Sequence, residues 1–278
     1  MVQKKGISGN FGKAAIYAVV ILLGLICLLP MMNILAISFS SSEAAAANAV
    51  GFLPVKFTTA AYEKIIGDGQ FWRSFGISVL RVVLALVLNM VLIVLMAYPL
   101  SKSEREFRGR NIYMGILIFA MLFSGGMIPL YLVIRNLGLI NTVWALVLPG
   151  AVPIFSVIMA MNFFIGIPKS LEEAARIDGA NAWQRMWNVT IPMMSPTIFF
   201  ASVITFIGAF QIFDPIQIIT PNGGPDESTL SIVMYLYQQG FQAFRAGYAS
   251  AVALVVFVIM ALVTALQFWV SRKWVHDR

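Results

Sequence analysis

The sequence predicts an all-α integral membrane protein with six transmembrane helices. Three observations carry that prediction. The 278 residues are 60% hydrophobic and only 11% charged, whereas a soluble domain is about a quarter charged. The mean hydropathy is +0.86. The apolar residues fall in long blocks rather than one-sided stripes, and six blocks reach the length of about 20 residues that a helix needs to cross a hydrocarbon core of about 30 Å.

The predicted spans run, in order, over about Ala14–Phe39, Ile77–Leu100, Ile112–Ile134, Val143–Ile165, Met193–Ile219 and Ala246–Val270. The first is read as a retained span. Its apolar run continues past Pro30 to Phe39, and no small-x-small cleavage site follows promptly, although Ser41–Ala47 is alanine-rich. The other five carry few charges and are separated by polar segments. Prolines lie within or beside most spans: Pro30, Pro99, Pro129, Pro149, Pro153, Pro196 and Pro215. Each removes a backbone donor, and in a bilayer the freed groups must face protein or a wet cavity. So many together favour a protein that moves or encloses a pathway.

Composition excludes several classes. Disorder requires low hydrophobicity. A disulfide scaffold is excluded because the one cysteine, Cys27, lies inside an apolar block. The single histidine, His276, stands at the far end of the chain, which argues against histidine-based metal or triad chemistry, and no metal site is expected. The net charge of +7 flanks apolar blocks and so reads as membrane-surface charge rather than nucleic-acid binding. With the amino terminus inside, the inner segments hold Lys4, Lys5, Lys13, Lys102, Arg105, Arg108, Arg110, Lys169, Arg176, Arg185, Arg272, Lys273 and Arg278, thirteen of nineteen cations. The outer segments hold Lys56, Lys64, Arg73, Arg81, Arg135 and Arg245. The positive-inside rule then predicts both termini in the cytoplasm.

The inner loop between spans four and five, residues 166–192, is the most informative stretch. It reads as two short helices and a turn. Pro168 suits a first helical turn, and Ser170 with Glu173 fits a capping box. Ala174 and Ala175 give a small-residue surface. Asp178-Gly179 signals a stop, a second helical turn rich in Trp183, Met186 and Trp187 follows, and Pro192 closes the element. From these residues alone, two readings stand side by side: a docking knob for a partner, or a helix on the inner bilayer surface anchored by Trp183 and Trp187.

Glu173-Ala174-Ala175, three residues, Gly179, nine residues, then Val189-Thr190-Ile191-Pro192 resembles the EAA loop of ATP-binding-cassette importer permeases. The family pattern ends I-x-L-P, so Val189 and Ile191 are mild departures within a fully kept spacing. The resemblance implies a coupling helix seated in a cleft of a separate ATPase subunit. Glu173, Ala174, Ala175 and Gly179 would then form the docking surface, with Asp178 shaping the turn and Pro192 ending the motif. Ala97-Tyr98-Pro99-Leu100-Ser101-Lys102 and Phe123-Ser124-Gly125-Gly126-Met127-Ile128-Pro129-Leu130-Tyr131 resemble segments of the second permease partner in complex-carbohydrate importers. The tail instead resembles the first partner, with Phe213-Asp214, Ile216, Thr220 and Gly223-Gly224-Pro225, set one residue further on than expected. The chain thus combines features of both partners, and both seats in the heterodimer stay open.

The implied assembly comprises a second permease subunit, two cytoplasmic ATPase subunits, an extracytoplasmic sugar-binding protein and membrane lipid, in a bacterial inner membrane, with no nucleic acid. No GxxxxGK[ST] loop occurs in the chain. No cofactor is therefore expected on it, and ATP and magnesium are assigned to the partner ATPase. Sugar binding needs polar groups and aromatic faces in a wet cavity, and Gln211, Asp214, Asn89 and Phe210 are the pathway candidates. An intramembrane acid such as Asp214 is costly to bury and so draws attention. The alternative is a secondary transporter of a polar solute, but no internal repeat is visible. An intramembrane enzyme lacks both a histidine in any span and an acidic partner for Asp214.

Overall fold

The computed structural model describes residues 7–275. Lys4, Lys5, His276 and Arg278 lie outside the described residues. No strand occurs among the described residues, which form fifteen α-helical segments joined by 3-10 and π turns. They are α1 (Ile7–Ser38), α2 (Ser42–Ala46), α3 (Ala60–Gly67), α4 (Gly69–Ser101), α5 (Arg110–Leu122), α6 (Met127–Asn136), α7 (Val143–Val147), α8 (Ile154–Gly166), α9 (Lys169–Ile177), α10 (Ala182–Arg185), α11 (Ile191–Met193), α12 (Ser195–Phe210), α13 (Asp214–Ile219), α14 (Ile232–Tyr237) and α15 (Ala246–Trp274). Three helices are long and apolar enough to cross a membrane unbroken: Ala15–Ser38, Gly69–Ser101 and Ala246–Trp274. Three bent pairs reach that length together, giving up to six spans.

The bends correct the sequence reading of spans three, four and five as continuous helices. In the third, α5 and α6 meet at 118°. Phe123 is extended and Gly126 sits at φ +83, a conformation glycine adopts without strain, so the Phe123–Gly126 segment turns the chain. In the fourth, Val143–Gly150 and Ile154–Gly166 meet at 46°. Pro149 lies in a 3-10 turn and Pro153 caps α8, and Val152, the residue before Pro153, lies in no helix. The fifth span enters at Ser195, where the Ser195–Phe210 helix meets the loop segment Trp183–Met193 at 70°. That helix ends at Phe210, well short of Ile219, because residues 214–219 form the separate α13. Pro30 and Pro99, by contrast, lie inside α1 and α4 without ending them.

The described residues divide into two compact units, 7–68 with Leu236–Val258, and Gly69–Tyr235 with 259–275. In the first, Asn33 Nδ2 donates to Val50 O at 3.2 Å and Gly51 O at 2.8 Å, folding the segment after α2 back onto α1. Phe39 stacks on Phe57 with centroids 5.4 Å apart, and the Tyr248 hydroxyl donates to Asp68 Oδ2 at 2.7 Å. The Ala15–Ser38 stretch of α1 is largely exposed, with only 6% of its most apolar window buried, as suits a helix facing lipid or another subunit.

In the second unit α4 packs against α8 and α12. Lipid tails are as apolar as leucine, so close van der Waals contact rather than water exclusion holds such helices together. The buried positions fit that demand: Ala97 on α4 is 0% exposed, Ala160 on α8 is 2% and Ala201 on α12 is 1%. Their small side chains let the backbones approach, and Ile93, Leu117, Met161 and Phe164 fill the remaining space.

Candidate functional site

The 166–192 loop is the best-formed candidate. Helix α9 starts one residue before Ser170, and Pro168 occupies the cap position without a side-chain bond. The capping box expected from Ser170 and Glu173 is therefore not the one that forms. The reciprocal box lies one helix later. Gln184 N donates to Asn181 Oδ1 at 2.8 Å and Asn181 N donates to Gln184 Oε1 at 2.9 Å. The signal was present as Asn-x-x-Gln, and it ties the start of α10.

Helix α9 ends in a complete Schellman motif. Asp178 is the C-cap. Gly179, at φ +84, donates to Arg176 O at 3.1 Å, and Ala180 N donates to Ala175 O at 2.9 Å. These two bonds reverse the chain and set α10 after α9. Arg185 Nη1 donates to Ala180 O at 2.9 Å, holding the second arm to the turn. Glu173, Ala174, Asp178 and Gly179 are exposed and Ala175 is half-buried. A methyl added at Gly179 would meet nothing within 4 Å, so that surface is open to a partner. Trp183 and Trp187, 66% and 49% exposed, pack edge to face at 5.5 Å.

Pro192 does not close the loop as expected. It lies inside a continuing helical segment, after a π turn over Met186–Thr190 in which the Ile191 N–H reaches back to Met186 O. The wider π turn accommodates the ring that would otherwise press on the carbonyl four residues back. The chain bends instead at Met194, ahead of Ser195-Pro196.

The pathway candidates separate. Asn89 is 6% exposed, and with its amide nitrogen toward the break in span four it donates to Ala85 O at 3.0 Å, Ala151 O at 3.1 Å and Gly150 O at 3.3 Å. It thereby satisfies carbonyls freed near Pro149. Phe210 is 4% exposed and packs against Phe206 at 5.6 Å. Gln211 and Asp214 are exposed at the break between α12 and α13, Gln211 as the C-cap of α12 and Asp214 as the first residue of α13. The Gly223-Gly224 pair has a steric reason. A methyl on Gly223 would stand 2.7 Å from Leu230 Cβ, while Thr229 clasps Gly223 O with its hydroxyl at 2.7 Å and its N–H at 2.9 Å.

One residue was misplaced by the sequence reading. Arg81, grouped with the outer-segment cations, is 7% exposed within α4. Its Nε and Nη2 both donate to Leu146 O at 3.3 Å, and its Nη1 donates to Ala209 O. Both carbonyls lie in the last turn of a helix, α7 and α12, where intrahelical donors run out and the dipole is negative. The sequence signal was an arginine inside an apolar block.

With this geometry in view, the relatives of the chain are informative. Residues 77–276 match the family described as binding-protein-dependent transport system inner membrane component. Protein LplC of Bacillus subtilis (strain 168) is 38% identical over 190 residues, 68% of this chain and 64% of LplC. The polygalacturonan/rhamnogalacturonan transport system permease protein YtcP of the same strain is 39% identical over 183 residues, 66% of this chain and 63% of YtcP. The match thus spans just under two thirds of the length of these two relatives. Among solved structures, a bacterial ABC transporter involved in the import of the acidic polysaccharide alginate superposes with a TM-score of 0.82 at 26% identity, over 99% of this chain and 100% of that one. The chain belongs to the inner membrane components of binding-protein-dependent transport systems.

Proposed function

We propose that the chain is a six-span permease subunit of an ATP-driven importer for an oligosaccharide in a bacterial inner membrane, with both termini and the 166–192 loop in the cytoplasm. The observation that carries this reading is the α9–α10 hairpin. Its Schellman turn leaves Glu173, Ala174 and Gly179 exposed at the spacing of an ATPase-docking loop. The oligosaccharide assignment draws support from the polygalacturonan/rhamnogalacturonan permease and the alginate transporter as relatives. In this reading an external sugar-binding protein delivers substrate to this chain and a second permease. Two cytoplasmic ATPases bind ATP and magnesium, close, and move the hairpin. The bent spans then exchange between two packings, driven by the difference in contacts each ligand makes with the two states.

Proteoliposomes holding the chain with its partner permease, ATPase pair and binding protein test the assembly. Loaded binding protein is expected to stimulate ATP hydrolysis several-fold. Uptake sustained by an ion gradient with no ATPase present would instead establish a secondary transporter.

Orientation has its own check. In a Cys27→Ala background, Ser170→Cys should resist an impermeant thiol reagent in intact cells, while Asp226→Cys in the Pro225–Glu227 turn labels readily. Equal labelling of the two positions would reverse the assignment.

A further inference from the structure

A cleft of about 590 Å³ opens where α4, α5, α8 and the hairpin converge. Its polar wall carries Lys102, Arg110, Arg176 and Arg185 against two carboxylates, Glu106 and Glu173. Glu106 is already engaged, since Ser103 donates to its Oε2 through both backbone N–H and hydroxyl at 2.9 Å. Arg185 is only partly used. Its Nη1 holds Ala180 O, while its Nε is buried with no hydrogen-bond partner. Arg110 anchors through Nε to Leu100 O at 2.9 Å, which fixes its guanidinium at the cleft rim.

The rest of the lining includes apolar and aromatic residues, Tyr98, Phe164, Ile165 and Ile167. Lys102 Nζ stands 4.6 Å from the Tyr98 ring centroid, a contact suited to the level where chains meet headgroups. The aromatic and the charged lining residues differ in their place on the helices. Tyr98 and Phe164 are the last turns of apolar helices, and the cations follow where those helices end. A site that is apolar on its membrane side and cationic on its aqueous side matches the boundary between acyl chains and anionic headgroups.

We propose that this cleft binds a phosphate oxyanion, supplied by the phosphodiester of an anionic membrane lipid. A bound headgroup would bridge the end of α4 to Arg176 of α9 and Arg185 of α10, and so brace the hairpin against the spans from which it hangs. The inference rests on the cytoplasmic placement of the loop for its physiological meaning, but the binding itself does not require it.

The test uses the full chain purified in neutral detergent, with phosphatidylglycerol, phosphatidylcholine and inorganic phosphate as probes and native mass spectrometry as the readout. The wild type is expected to retain phosphatidylglycerol and not phosphatidylcholine. The double variant Lys102→Gln/Arg176→Gln should retain phosphatidylglycerol roughly 30-fold less well, as expected from about 1 kcal/mol per surface cation. Arg176→Lys, which keeps the charge, should behave as wild type, and matched melting curves show that the variants are folded. If inorganic phosphate occupies the cleft and phosphatidylglycerol does not, the oxyanion site stands but the lipid as its occupant is overturned. Equal phosphatidylglycerol retention by wild type and double variant, or no difference between the two lipids and no response to phosphate, overturns the proposal. Micelles have no sidedness, so labelling of Ser170→Cys from outside would reverse the topology without altering this readout.

Discussion

Replacing Gly179 with valine is expected to strip the ATPase from the purified assembly and reduce uptake to background, while the chain still inserts and pairs with its partner permease. Gly179 sits at φ +84, where an L side chain costs about 1–2 kcal/mol, and a β-branched one more because its rotamers are restricted there. The site is otherwise open, with nothing within 4 Å of an added methyl, so crowding inside the chain is not the cause. The strain falls on the two bonds that reverse the chain, from Gly179 N to Arg176 O and from Ala180 N to Ala175 O. About 2 kcal/mol there depopulates the docking conformation roughly 30-fold. Asparagine tolerates the left-handed region, so Gly179→Asn should retain most of the ATPase. Ala175→Trp should fail as valine does, through bulk on a half-buried face. Co-purification of the ATPase with each variant, alongside transport, is the measurement. Full retention and normal uptake in Gly179→Val would remove the docking role of the hairpin.

The hairpin was legible because its signals are local. Gly179 after Asp178 marks a helix stop whatever lies around it, and the structure places Gly179 in the left-handed conformation that such stops use. Its start was less legible, because Pro168 and Ser170 both suit a first turn and only the frame of α9 chooses between them. The three unbroken long helices were also readable, since length and hydropathy suffice for them. The bends were not. Hydropathy sums over a window and is blind to direction, so the blocks 112–134 and 143–165 each read as one helix. Proline did not decide the matter either. Pro30 and Pro99 leave α1 and α4 continuous, whereas the break in the third span holds Gly126 at φ +83 and that in the fourth lies between Pro149 and Pro153. Asn89 and Arg81 follow from those breaks. Polar side chains are placed where backbone carbonyls have been freed, and the carbonyls come from segments distant in sequence: Asn89 meets Gly150 and Ala151, and Arg81 meets Leu146 and Ala209. Pairings of that kind cannot be read from spacing along one helix.

Arg81 therefore yields the second large prediction. Its guanidinium is shared by the ends of α7 and α12, through Leu146 O and Ala209 O. Replacing a buried charge together with its partners by apolar groups can be neutral, but here the acceptors are backbone and remain. Arg81→Leu leaves two carbonyls facing an apolar interior, at about 1–3 kcal/mol each, partly offset by relief of the buried charge. A net loss of about 2–4 kcal/mol is expected, seen as a drop of several degrees in the unfolding midpoint of the purified chain. Arg81→Lys should fall between, because a single ammonium lacks the planar fork that reaches carbonyls on two helices. Val83→Ala, at a position 52% exposed on the same helix, serves as the control and should change stability by less than about 0.5 kcal/mol. The order wild type, lysine, leucine in both melting and uptake would identify Arg81 as the clasp between two broken spans. An Arg81→Leu protein that melts with the wild type would show that water or lipid satisfies Leu146 O and Ala209 O, and that the arginine holds neither helix.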